Sequence, residues 1–238
     1  MKNYLLVFVI VFLVISNQTF SQSLSVGIID GTFKSTIKCK SISYIAVSNI
    51  GRVRNTGIFL NFSFNKNISI QTELYKKNNG AVIRTVGIDG GGLSGNYDMT
   101  YCTIPVLGDL EFGETIKFHC YTGLYFDFLN SAKNKTTVHT DFSPVPYQID
   151  ASYDPTNEFR KFGNGCMFGL GIKFPLTKKV GVFIDSRYTT SFTKSVKDNI
   201  VYEDYHLIEA IQDGHFNSFS VNWGITYRFE LKKLTGSK

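Results

Sequence analysis

The sequence has no apolar run of the roughly 20 residues that a membrane-spanning helix needs. Its longest, residues 5–15, holds eleven, so a helical membrane protein is excluded. Charge is also scarce: charged residues make up 18% of the chain, and the net charge of +6 is scattered. Nucleic-acid binders gather their cations into a stripe or patch, so no nucleic-acid partner is expected. A mild attraction to anionic lipid headgroups accounts for the surplus. No nucleophile motif accompanies the serines and histidines. No catalytic, cofactor-binding or metal-ligating residues are therefore assigned.

What the chain does have begins with a short positive start, Met1-Lys2, ahead of the apolar stretch. Thr19-Phe20-Ser21 then places small residues at the −3 and −1 positions of a cleavage site. The expectation is a signal peptide over residues 1–21 and one domain over 22–238. An uncleaved anchor is disfavoured because Leu24 to Ile28 already alternate as a strand. A lipoprotein is disfavoured because no cysteine follows the cut.

Aromatics reach 15% and glycines number 21, a mix that suits aromatic girdles and a narrow β-barrel interior. Alternation with period two predicts eight strands, over residues 23–33, 57–64, 68–77, 99–112, 115–129, 163–174, 180–192 and 218–229. The gaps between them alternate short and long. The short ones are Asn65-Lys66-Asn67, Gly113-Glu114 and residues 175–179. The long ones are 34–56, 78–98, 130–162 and 193–217, all on one side. Tight periplasmic turns facing long external loops are the pattern of an outer-membrane barrel. The fold expected is all-β: an eight-stranded antiparallel up-and-down transmembrane barrel in the outer membrane.

Each strand separates one apolar wall from one polar wall. In the fifth, Ile116, Phe118, Cys120, Leu124, Phe126 and Phe128 oppose Lys117, His119, Tyr121, Gly123, Tyr125 and Asp127. A soluble lipocalin-like barrel would turn the apolar wall inward. The glycines decide the matter, because they lie on the polar wall and a narrow interior is where side chains crowd. The lumen is thus expected to hold Glu73, Lys77, Asp109, Glu111, Lys117, His119, Asp127, Lys173, Asp185, Arg187 and Arg228 as an ion-pair network. A charge introduced as Thr189→Arg, near the outer end of that wall, should find water.

Four weaker signals carry bland readings. His139, His206 and His215 fall in loops, and the acids Glu203, Asp204, Glu209 and Asp213 around the last two match no metal-ligand spacing. Residues 87–95 are glycine-rich, but a strand rather than a helix follows, so they form a loop and not a phosphate cradle. Cys102, Cys120 and Cys166 share the apolar wall. Cys102 should face roughly Tyr125, about 17 Å along the strand from Cys120, too far for a disulfide. Cys39 stands alone in a loop.

Tyr101-Cys-Thr-Ile-Pro-Val-Leu-Gly-Asp-Leu-Glu-Phe112 resembles the Tyr-x-x-Ile-Pro-x-Leu strand of the PorT-like outer-membrane β-barrel family. Tyr121-Thr-Gly-Leu-Tyr-Phe126, Phe168-Gly-Leu-Gly-Ile172, Asp185-Ser-Arg-Tyr188 and Tyr227-Arg-Phe229 match the rest in order. The resemblance implies an integral outer-membrane protein of Gram-negative bacteria, non-enzymatic, with a structural or secretion-linked role. It implies outer-membrane lipid and lipopolysaccharide, the barrel-insertion machinery and secretion-system components as partners, with Phe229 as the insertion signal. Two other functions stay open: an adhesin-like barrel acting through its external loops, and an outer-leaflet lipid-modifying enzyme. No cofactor is expected for any of them.

Overall fold

The computed structural model describes residues 23–38, 45–48, 53–86, 92–140, 147–153, 156, 159–194 and 215–231. The expected signal peptide, Cys39, His206 and the acids of the last external loop lie outside them. Ten strands are described: β1 (Ser23–Lys38), β2 (Ile45–Ser48), β3 (Val53–Ser63), β4 (Ile68–Val86), β5 (Gly92–Phe112), β6 (Lys117–Thr140), β7 (Tyr147–Tyr153), β8 (Phe162–Pro175), β9 (Val180–Ser191) and β10 (His215–Glu230). Eight of them close a ring in the order β1-β3-β4-β5-β6-β8-β9-β10, antiparallel throughout, with β10 returning to β1. Closure removes every edge within the membrane, where an unpaired backbone amide would find no water.

The short turns have specific chemistry. Asn65 Oδ1 accepts backbone hydrogen bonds from Asn67 and Ile68, both at 2.8 Å. Thr177 Oγ1 does the same for Val180 at 2.9 Å. Gly113 adopts a φ of 104°, and a Cβ there would meet the Ile116 carbonyl oxygen at 2.3 Å.

The walls lie as expected. Leu170 is 65% exposed and Ile28 60% exposed, while Asp185 and Arg187 are 3% and 2% exposed. Outward side chains meet lipid, and the ionisable set fills the interior. The glycines explain how it fits. Across the strand register Gly27 faces Phe59, Gly57 faces Tyr75, Gly169 faces Tyr121, Gly165 faces Tyr125, Gly171 faces His119 and Gly224 faces Phe183. A Cβ on Gly169 would lie 2.1 Å from the Tyr121 ring, so the glycine is the space that ring occupies.

Three expectations need correction. The hairpin after β5 leaves four residues, 113–116, between the strand ends, and its last pair is Phe112 with Phe118. Ile116 therefore belongs to the turn, and Cys102 faces Phe128 instead of Tyr125. Cys120 pairs with Leu110, eight residues along β5, which lengthens the separation to about 27 Å. The long gaps are also more ordered than loops. β4 and β5 continue paired to Val86 and Gly92, taking Gly92 to Gly95 into strand, and β6 continues to Thr140 with β7 beside it. His139 accordingly lies in β6, and His215 opens β10. Thr189, finally, is 5% exposed and shares a 2.5 Å hydrogen bond with Ser218, so water does not reach it.

Candidate functional site: the barrel lumen

Inward parity on eight strands brings together side chains from distant parts of the chain, and the lumen is the place where chemistry could occur. A cavity of about 270 Å³ opens at the periplasmic end, lined among others by Ser25, Asn61, Gln71, Lys117, Lys173 and Arg228. At its inner limit stands an acid–base cluster. Lys173 Nζ donates to Asp109 Oδ2 at 2.6 Å and to Glu111 Oε1 at 2.7 Å. Lys117 Nζ donates to the other Glu111 oxygen at 2.7 Å. His119 Nδ1 lies 3.3 Å from Asp109 Oδ1.

The next layer centres on Arg187. Its Nη1 donates to Glu73 at 2.5 Å, and its Nε and Nη2 form a fork onto Asp185 at 2.9 and 3.0 Å. Asn222 also donates to Asp185 at 2.8 Å, Asn55 donates to Asn222 at 2.8 Å, and Gln71 donates to Glu73 at 2.6 Å. The guanidinium carbon sits 5.2 Å from the centre of the Tyr121 ring. A buried charge must be paired or it is costly, and here each oxygen of the two acids has a donor.

Above this layer the lumen turns apolar. There Tyr75, Leu107, Tyr121, Tyr125 and Met167 form one buried cluster; Ile29, Phe59 and Phe183 form another, of which Phe59 and Phe183 also line the periplasmic cavity. Phe59 and Phe183 meet edge to face with centroids 5.5 Å apart. Nearer the outer end, Lys77 lies 3.6 Å from Asp127 and 5.2 Å from the Tyr125 ring centre. Thr103 donates to Asp127 at 2.5 Å. Thr156 then hydrogen-bonds the backbone of Ala132, beside the irregular stretch of β6.

All eleven predicted ionisable residues line the interior or its periplasmic mouth, and the structure joins ten of them into three groups. Lys117, Lys173, Asp109, Glu111 and His119 form the first, Glu73, Asp185 and Arg187 the second, and Lys77 and Asp127 the third. Arg228 lines the cavity mouth. Sequence reasoning missed the apolar plugs, having read the inner wall as polar. A signal for them existed: each residue of the two apolar clusters sits opposite a glycine, which register arithmetic would have exposed. A lumen so filled is a packed core held by ion pairs.

The outer membrane protein beta-barrel domain family matches residues 17–197. Among solved structures, OprG of Pseudomonas aeruginosa is similar over 89% of this chain and 98% of its own, at 11% identity and a TM-score of 0.51. Ail, the attachment invasion locus protein of Yersinia pestis, aligns with 86% of this chain and 98% of its own at 13% identity, with a TM-score of 0.41. Neisserial surface protein A, from Neisseria, aligns over 87% and 97%, at 11% identity and a TM-score of 0.41. No curated protein matches. Ring closure, an apolar exterior and the family match agree: the chain belongs to the outer membrane protein beta-barrel domain family and resides in the outer membrane.

Proposed function

We propose that this is a non-enzymatic, adhesin-like barrel that acts through the sheet its strands raise above the outer rim. Strand length carries the reading. β4, β5 and β6 run for 19, 21 and 24 residues, where about 9–11 suffice to cross a bilayer. Past the membrane they remain paired, and β2 and β7 add to their edges, giving the order β2-β4-β5-β6-β7. Ordering those residues costs conformational entropy, and a filled lumen gains nothing from it. A surface built to meet a ligand or another cell does. The lumenal acids are committed to cations, which supports a structural rather than a catalytic interior.

The secretion-linked role rests on the PorT-like motif alone. Tyr101, Pro105 and Leu107 of that motif face inward and are buried, and Ile104 belongs to the outward, lipid-facing set, so barrel packing accounts for them. Outer-membrane lipid, lipopolysaccharide and the insertion machinery are the partners of residence and assembly under either role. The test is to remove residues 81–97, joining the register partners Gly80 and Asp98. The barrel should still fold and secretion should stay intact, while binding to cells or surface ligands is lost. Loss of secreted proteins with binding unchanged would refute the surface role and restore the secretion-linked one.

A further inference from the structure

The lipid-facing band is uneven. On β10 six successive outward positions are apolar or aromatic: Phe219, Val221, Trp223, Ile225, Tyr227 and Phe229. On β1 the band is three deep, Leu24, Val26 and Ile28, and on β3 again three, Phe62, Leu60 and Ile58. Above it the outward positions change character. β1 continues with Asp30, Thr32 and Lys34, β3 with Thr56 and Arg54, and β4 with Lys76 above Leu74. Thr32 pairs with Arg54 and Thr56 with Lys76, so Lys34, Arg54 and Lys76 are successive diagonal neighbours, roughly 7–8 Å apart at each step.

Arg54 is held in place. Its Nε and Nη2 donate to the two Asp30 oxygens at 2.9 and 2.8 Å, and Thr56 donates to Asp30 at 2.9 Å. The Arg54 side chain is nevertheless 74% exposed, and Nη1 remains for a second acceptor. Asp30 lies level with Trp223 on β10, still within the aromatic part of that strand's band. Charges at this height are costly against hydrocarbon and favourable against anionic headgroups.

We propose that Lys34, Arg54 and Lys76 form a docking site for the phosphate groups of an outer-leaflet glycolipid, drawn down over the short band on β1 and β3. The chemistry is that of anion recognition: a planar guanidinium offers directed donors to phosphate, and two flanking ammonium groups add point charges. A band three residues deep accommodates a locally thinner leaflet, which brings phosphates to the height of Arg54. The inference rests on the outer-membrane location and is independent of the adhesin-like role.

The mature protein, folded in detergent micelles, is titrated with lipid A and with lipid A stripped of its phosphates. Each cation is worth about a five-fold change in affinity, so Lys76→Gln, which spares the Asp30–Arg54 pair, should weaken lipid A binding about five-fold. Lys34→Gln/Arg54→Gln/Lys76→Gln should weaken it by about a hundred-fold. Lys133→Gln, exposed on β6, should leave it unchanged, and phosphate-free lipid A should bind wild type as poorly as the triple variant. Wild-type affinity in Lys76→Gln and the triple variant, or equal binding of both lipids, would overturn the site. So would a cross-linked dimer lost in the triple variant with lipid A binding intact, which would make the patch a contact between copies. Removal of residues 81–97 should not alter this binding even where it abolishes adhesion.

Discussion

Arg187 of β9 and Glu73 of β4 meet across the lumen at 2.5 Å, although 114 residues separate them in sequence. The same guanidinium neutralises Asp185, so one cation serves two buried acids. Arg187→Met would leave both acids unpaired, and breaking a buried pair costs about 3–5 kcal/mol. Glu73→Gln should cost less, because Arg187 keeps Asp185. Urea unfolding in lipid vesicles should rank the variants in that order, and the double variant should recover part of the loss of Arg187→Met. Equal losses for the two single variants would mean that the network does not hold the barrel in this way.

On the lipid face, Leu170→Arg places a charge against hydrocarbon, where it costs about 2–4 kcal/mol at the midplane. Gly169→Arg, one residue away, should also fail, because its side chain would enter the Tyr121 ring. Thr189→Arg should fail for the same steric reason, replacing a buried partner of Ser218. Folding yield into vesicles, read by the gel-mobility shift between unboiled and boiled samples, separates these from a tolerated outward change such as Thr56→Ser.

A lumen closed by Tyr75, Leu107, Tyr121, Tyr125 and Met167 should show no porin-sized conductance steps in a planar bilayer. Tyr121→Ala/Tyr125→Ala removes two rings from the plug and should introduce a measurable leak. Large, steady steps from the wild-type protein would contradict a packed interior.

Cys102, Cys120 and Cys166 are free, and each belongs to the outward set on its strand. In vesicles they should react slowly with a charged thiol reagent and faster with an apolar one. Oxidation should produce no bridge between Cys102 and Cys120, because the partner of Cys120, Leu110, stands eight residues along β5 from Cys102. Mass spectrometry of the oxidised protein checks this directly.

The eight strands and their two walls were legible because period-two alternation is imposed by the backbone itself, as in Phe118 to Phe128 against Lys117 to Asp127. The inward ionisable residues followed from the same parity. Strand ends were less legible. Nothing in the alternation of residues 78–98 distinguishes a loop from a hairpin that continues past the membrane, since both are polar and rich in glycine. The four-residue turn at 113–116 escaped notice because Ile116 continues the apolar parity of Phe118 while lying outside the strand. The apolar plugs were hidden because period-two parity marks the inner wall only as the more polar of the two, although Phe59 and Phe183 need the vacancies opposite them at Gly27 and Gly224. Above all, the burial of Thr189 depends on Ser218, a partner that only the β9–β10 register supplies.

The pairing of Ser23 with Glu230 and its fifteen companions along β1 and β10 has a kinetic meaning. A barrel lacking β10 is an open sheet with two bare margins, one on β1 and one on β9, each a template for adventitious strand addition. Cylinder formation is then a single terminal event at one seam, delayed until the farthest strand arrives. Whatever catalyses insertion must shelter the early margin for that whole interval. A lesion in β10 would accumulate as an unsealed, aggregation-prone ribbon instead of a weakened barrel.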